Sequence, residues 1–281
     1  MRSSERLTLA FLAALSALAL PSLPGSGLSL VAFAALAAAT VILAREGESV
    51  PRVVRDFFPV ALVIAVYLAL EPVISGGNPG RWDAVLAAWD ERWASGLVAA
   101  WRGAFGRRAA AVDAMYLAYL SYYLVPIVAV ILARRHGHEP FERAVFTVLL
   151  CYYGSFAGYL IFPTSGPRLP PEDEARLLGG GAVSELVREF LRVAEKTRLD
   201  AFPSGHTAIS LVSGFVGSRA APRAAPALAA WIVAVVFSTV YVHVHYVVDV
   251  LAGIALAGAV VAGAGAAYRI LAPHERPREA L

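Results

Sequence analysis

Three short clusters in the second half of the chain bring together residue types suited to moving a phosphoryl group. They are Phe162-Pro163-Thr164-Ser165-Gly166-Pro167-Arg168, Phe202-Pro203-Ser204-Gly205-His206, and the stretch from Ser238 to Asp249 that contains His243 and His245. His245 and Asp249 are four residues apart, which puts them on one face if the segment is helical. A carboxylate bonded to one imidazole nitrogen fixes the tautomer and leaves the other nitrogen free to attack. The same spacing also suits a structural bond or a proton relay, and ionisable side chains in membrane segments are usually functional in either case. Pro203 suits the first position of a helix, so Ser204, Gly205 and His206 are expected in the first turn. Free amides there favour an anion, and Gly205 lets it approach the backbone, although an ordinary cap would use the same residues. Arg168 sits among Pro167, Pro170 and Pro171 and can grip phosphate oxygens bidentately. Alone it would read as a headgroup anchor. An anion-binding helix start, a carboxylate-supported histidine and a fixed arginine are together the parts that phosphoryl transfer requires.

These clusters need elements to position them, and composition says which. Of the 281 residues, 58% are apolar and 16% charged, against the roughly 25% charge usual in soluble domains. Apolar runs approaching the ~20 residues that cross a hydrocarbon core recur throughout, which excludes a large soluble helical protein. The expected fold is all-α: a polytopic membrane bundle of about eight transmembrane helices. The expected spans are 7–23, 27–44, 53–72, 111–133, 142–163, 203–218, 225–242 and 246–271. An unbroken helix from 226 to 271 would be roughly 70 Å long, about twice a bilayer. A turn is therefore expected at the polar stretch near His243.

The net charge of +3 and pI near 9.1 come almost wholly from arginine, since Lys196 is the only lysine. The arginines cluster in the short loops 45–55, 134–143 and 219–223 and near both termini (Arg2, Arg6, Arg269, Arg276, Arg278), while 22–26 and 242–246 have none. That bias reads as membrane orientation rather than nucleic-acid binding, with termini and basic loops cytoplasmic and the three clusters facing the extracytoplasmic side of the plasma membrane. The N-terminal run imitates a secretory signal but is expected to remain as a first helix. Cys151 has no partner for an internal disulfide.

Two longer segments fall on the outer side, and each is expected to form an interfacial amphipathic helix. Residues 81–103 place Trp82, Val85, Leu86, Trp89, Trp93, Leu97 and Trp101 on one helical face. Residues 164–200 carry a flexible Gly179-Gly180-Gly181 and then Val183, Leu186, Val187, Phe190, Leu191 and Val193. The organisation expected is N-terminal helices over 1–110 and a catalytic bundle over 111–281.

The motifs resemble the type 2 phosphatidic acid phosphatase superfamily, whose signature is K-x6-R-P, then P-S-G-H, then S-R-x5-H-x3-D. Pro203-Ser204-Gly205-His206 matches the middle motif, and Ser238, His245 and Asp249 match the last in identity and spacing. Where the family has its lysine the chain has Ile161; Leu169 follows Arg168; Thr239 stands in place of the last motif's arginine. The Thr239-Val240-Tyr241 and His245-Tyr246 pattern is closer in style to the inositol phosphorylceramide synthase branch, an inositolphosphotransferase. The resemblance implies that His245 attacks phosphorus to give a phosphohistidine, with Asp249 orienting it and His206 protonating the leaving oxygen. Arg168, Ser204 and the amides at Gly205 would hold phosphoryl oxygens, with His243 and Arg198 as candidates for the missing charge. No cofactor or metal is expected: a zinc site is disfavoured by His206 standing on a different helix end with no cysteine ligand nearby. The expected partners are a membrane lipid phosphate and the bilayer. The expected activity is a lipid-phosphate phosphatase. The alternatives are a phosphotransferase with a lipid or polyol acceptor, a His/Asp proton-coupled transporter, whose site would lie at broken helices near the midplane, or a catalytically silent scaffold.

Overall fold

A computed structural model describes residues 1–272 except 23–24, 47–48, 79, 106–107 and 196. The described residues fold as fourteen α-helices: α1 (Ser3–Ala19), α2 (Gly27–Arg45), α3 (Arg52–Leu68), α4 (Glu71–Gly77), α5 (Asp83–Trp93), α6 (Ser95–Phe105), α7 (Ala109–Leu120), α8 (Val125–Arg134), α9 (His138–Ile161), α10 (Pro171–Leu178), α11 (Ala182–Ala194), α12 (Gly205–Ala220), α13 (Ala225–Tyr241) and α14 (Val247–Leu271). The only β pairing among the described residues is an isolated bridge between Thr164 and Asp200. The all-α polytopic bundle stands.

Among the described residues, six segments are long and apolar enough to cross a membrane, or seven if α3 and α4, bent by 41°, count as one span. The expected eighth, at 203–218, is the helix α12. Its 16 residues rise only about 24 Å, short of the ~30 Å hydrocarbon core. α7 and α8 form one span through a 3-10 turn at Ser121–Leu124. α13 ends at Tyr241 and α14 begins at Val247, so the chain turns where the polar stretch required. Leu28, Val31, Val233 and Ile270 are exposed on the outer faces of their helices, as lipid-facing side chains would be.

α12 is central and packs against α8, α9, α13 and α14. Small residues allow it. A Cβ at Gly214 would run into Ile232 of α13, and one at Gly217 would meet Leu228 and the Ala129 backbone. Close approach through small residues is how membrane helices gain packing without a hydrophobic driving force between them. One apolar cluster joins α12 to α8, α9, α13 and α14 through Ile209, Val212, Cys151, Ile232 and Val260. A second joins α1, α3 and α4 to α9 through Leu12, Leu15, Leu62, Val66 and Phe156.

The two ends of the bundle differ. At one end Asp56 pairs with Arg2 at 2.8 Å and Arg134 at 3.2 Å, Arg55 pairs with Glu5 at 2.7 Å, and Arg6 donates to the Leu271 and Ala272 carbonyls. Arg55 and the loops 134–143 and 219–223 gather there, His136 reaching the Ala220 carbonyl at 2.7 Å. Arg276 and Arg278 lie outside the described residues. The three chemical clusters lie at the opposite end, where α9 and α13 finish and α12 and α14 begin.

The outer segments differ from the single helices expected. Residues 81–103 form two helices, α5 and α6, broken at Ala94, where the backbone leaves helical geometry. Trp82, Val85, Trp89, Trp93 and Leu97 stay exposed, while Leu86 is buried and Trp101 packs against Phe237 of α13, the rings tilted at 54° with centroids 4.7 Å apart. Within 164–200, α10 and α11 flank the glycines, and Leu186, Phe190 and Val193 are exposed opposite a buried Val187.

Candidate active site

Local structure at each cluster explains which side chains meet. In the middle cluster the helix starts at Gly205 rather than Pro203. Ser204 is the N-cap, and its hydroxyl accepts the Thr207 N–H at 3.2 Å. The expected first turn is thus shifted by two residues, and the Ser204 hydroxyl caps it as an acceptor while keeping its own O–H to donate. Gly205 is needed for a different contact than expected: a Cβ there would collide with the Tyr159 hydroxyl of α9. The Ser204 N–H donates to the Asp249 carbonyl at 3.0 Å and so fixes the start of α12 to α14.

His245 is not helical either. It lies two residues before α14, and Asp249, in the first turn, reaches back to accept the Tyr246 N–H at 2.9 Å. This end-capping geometry, rather than a shared helix face, brings Asp249 Oδ2 to 3.5 Å from His245 Nδ1. That separation is an ion-pair distance, longer than a normal hydrogen bond. The loop before His245 is organised by Thr239, whose carbonyl accepts both the Val244 and His245 N–H groups.

The two histidines meet. His206 Nδ1 lies 3.2 Å from His245 Nε2, and the His206 ring packs against Tyr119 and Tyr122 at centroid distances of 4.6 and 4.3 Å. His245 is 2% exposed and Asp249 wholly buried. Three atoms are left without hydrogen bonds in this buried setting: His206 Nε2, His245 Nδ1 and Asp249 Oδ1. Buried polar atoms are normally satisfied, so the site holds polar capacity reserved for something other than folding.

Arg168 comes in from the 162–168 loop. It is pinned by Asp200 at 2.8 Å and by the Ser165 carbonyl at 2.9 Å, and Asp200 in turn accepts the Tyr67 hydroxyl at 2.7 Å. Gly166, at φ +73°, packs so tightly on the 242–246 loop that a Cβ would lie 2.5 Å from the Val244 carbonyl. The first and third clusters are therefore in direct backbone contact. Arg168 also lines a cleft of about 510 Å³ with Arg188, Arg192, Arg198, His243 and Glu195. The two candidates for missing charge, His243 and Arg198, thus border the same opening as Arg168. Ile161, standing where the family lysine would be, is exposed at the end of α9. Thr239 is buried, with its hydroxyl on the Val236 carbonyl.

Residues not singled out from sequence complete the site. Glu195, at the end of α11, accepts the Tyr119 hydroxyl at 2.8 Å and the Tyr123 hydroxyl at 3.0 Å, and its Oε1 lies 3.9 Å from His206 Nε2. Burial pushes its carboxyl above the usual glutamate range, opposed by the charge of Arg168 and by the two hydroxyls. A sequence signal for this was present: Tyr116, Tyr119 and Tyr123 recur at helical spacing in an otherwise apolar span. Among the described residues, no three His, Cys, Asp or Glu side chains group as metal ligands.

Chemically, the arrangement offers one imidazole backed by a carboxylate, a second imidazole in contact with it, and a guanidinium at the adjoining cleft. Comparison with known proteins agrees. No curated protein and no solved structure matches the chain, but the family model described as PAP2 superfamily matches residues 84–263, a range that contains all three clusters. Because that match covers well over half of its length, the chain belongs to the PAP2 superfamily of phosphatases and phosphotransferases.

Proposed function

We propose that the protein removes the phosphate of a membrane lipid phosphate through a phosphohistidine intermediate, at the extracytoplasmic face. The observation that carries this reading is the buried contact of His206 Nδ1 with His245 Nε2 at 3.2 Å, with Asp249 behind His245. His245 Nε2 attacks phosphorus as the bond to the lipid oxygen breaks, and the His206 Nδ1 proton passes to that oxygen. Water then attacks phosphorus, the N–P bond breaks, and the water proton returns to His206 Nδ1. Asp249 holds the Nδ1–H of His245 through both steps. Arg168 and the first-turn amides of α12 would stabilise the phosphoryl oxygens. The lipid substrate follows from chemistry at the end of a membrane bundle beside helices with exposed tryptophan and leucine faces.

A second reading, transfer of a phosphoryl headgroup to an acceptor hydroxyl, is favoured by one observation. The segment over the site is latched rather than open: Arg168–Asp200 and Glu195–Tyr119 tie its ends, and Asp113 accepts the Gly181 and Ser184 N–H groups at 2.9 Å. A transferase must keep water out in this way, and the His245-Tyr246 pattern resembles an inositolphosphotransferase branch.

The test is turnover of lipid phosphates by purified protein, with and without inositol and other polyols. Inorganic phosphate should appear in step with dephosphorylated lipid; a phosphorylated polyol formed faster than free phosphate selects the transferase. In both readings His245→Ala abolishes turnover, and wild-type protein traps an acid-labile, base-stable phosphoenzyme. Retained activity in that variant would remove His245 as nucleophile.

A further inference from the structure

His206 has a neighbour at each nitrogen of its ring. Its Nδ1 meets His245, and its Nε2, buried and without a hydrogen bond, faces Glu195 Oε1 at 3.9 Å. Glu195 is itself only 8% exposed, an uncommon place for a glutamate unless it is paired. Tyr119 bonds both its oxygens, at 2.8 and 3.1 Å, and Tyr123 adds a bond at 3.0 Å. The site is thus a row of four groups: carboxylate, imidazole, imidazole, carboxylate, in the order Asp249, His245, His206, Glu195. Asp200 does not compete for the last place, because both its oxygens are engaged, one by Arg168 and one by Tyr67.

We propose that Glu195 is the positioning carboxylate of His206, stabilising its doubly protonated form so that Nδ1 can deliver a proton to the leaving oxygen. This inference rests on the reading of His206 as acid and base. An imidazolium in a buried site is disfavoured by desolvation, and an opposite charge within a few ångströms offsets that. As His206 charges, Glu195 Oε1 takes the Nε2–H, closing a distance of the kind that tightens when a catalytic complex forms. The proton transferred in each step remains the one on Nδ1; Glu195 neither gains nor loses a proton over the cycle. The ionisable groups facing Glu195 are Tyr119 and Tyr123 from the α7–α8 span, Arg168 and Asp200 from the loops, Tyr67 from α3, and His206 itself.

The discriminating experiment varies the leaving group. Purified full-length protein is assayed on dodecyl phosphate, whose alkoxide needs a proton, and on a nitroaryl phosphate with the same chain, whose phenolate does not. Glu195→Gln keeps an oxygen for the tyrosines but removes the charge. It should lower kcat on dodecyl phosphate about 100-fold, lower that on the aryl substrate only a few-fold, and leave both KM values nearly unchanged. The alkaline limb of its pH–rate profile should move to lower pH, and Glu195→Asp should recover part of the loss. Glu189→Gln, an exposed carboxylate on the same helix, should behave as wild type. Equal losses on the two substrates with an unmoved limb, or no loss at all, would overturn the proposal. Should Glu195→Gln not be recovered folded, the substrate ratio is read on Tyr123→Phe, and a wild-type ratio there overturns it equally. If wild type and Glu195→Gln both form the acid-labile phosphoenzyme and release it at the same rate, only the role of Glu195 falls. If no phosphoenzyme forms in wild type, the underlying reading falls instead.

Discussion

At His206 and His245 stability and function pull in different directions. Glu195 and Asp249 are buried carboxylates, and polar atoms beside them lack hydrogen-bond partners. For Glu195 the consequence for stability has a definite sign. Burial raises its folded-state proton affinity above that of the unfolded chain, so the folded state is favoured as pH falls through the folded value, and the ionised carboxylate is a cost above it. Glu195→Gln should therefore unfold at a higher temperature than wild type at about pH 7.5, with the gap closing towards about pH 5. Thermal unfolding in detergent measures this, and a variant less stable than wild type at the higher pH would contradict it. Motif spacing singles out His206, His245, Asp249 and Arg168 whatever the local conformation, and the structure brings the two histidines into contact with Asp249 behind His245. It does not single out Glu195 or Asp200, since their partners Tyr119, Tyr123 and Tyr67 lie far away in the chain, and such pairings exist only after the helices pack. Ser204 and Gly205 carry structural duties that the motif alone does not show: the hydroxyl caps α12, and the missing Cβ makes room for Tyr159.

At the scale of elements, α5 is the part whose purpose changes most once the structure is known. Its apolar periodicity marked an amphipathic helix, and its tryptophans do remain exposed. Its carboxylates, unremarkable in sequence, hold two of the three motif loops. Asp83 Oδ1 accepts the Ser165 and Gly166 N–H groups at 2.8 and 3.1 Å. Asp90 Oδ1 accepts those of Val247 and Val248 at 2.8 and 3.3 Å, capping the start of α14 two residues from His245. Long spans were legible because a hydrophobic run of membrane length admits few alternatives; α13 and α14 match expectation closely for that reason. Helix starts were less legible, because N-caps depend on which side chain wins the free amides, and at α14 that is decided by Asp90 from another helix. Removing a cap typically costs about 1 kcal/mol, here felt as misplacement of His245. Asp90→Ala should lower kcat about tenfold while the protein remains folded and inserted. Asp83→Ala, acting through Arg168, should mainly raise KM. Unchanged kinetics in both variants would show that α5 is only a membrane-facing helix.

For the whole molecule, the distribution of charge bears on which side of the membrane the site faces. The arginines of the short loops and N-terminus assemble at one end, where Asp56, Glu5 and Glu142 bind some of them or their neighbours. The histidine pair sits at the other end, with α5, α6, α10 and α11 over it. Lys/Arg excess in short loops marks the cytoplasmic side, so the site is expected to face outward. Arginines also line the cleft beside Arg168, but they sit in the long 164–200 segment, and long segments translocate largely regardless of charge. The two sets can therefore be told apart by labelling. Cys151 is buried, so the native chain should be silent to impermeant thiol reagents and needs no cysteine-free background. Glu172→Cys and Glu185→Cys, at exposed positions over the site, should react in intact cells. Glu139→Cys and Pro222→Cys, exposed at the arginine-rich end, should react only after permeabilisation. The reverse pattern would put the phosphoryl chemistry on the cytoplasmic side, leaving the histidine geometry intact but drawing the lipid phosphate from the inner leaflet.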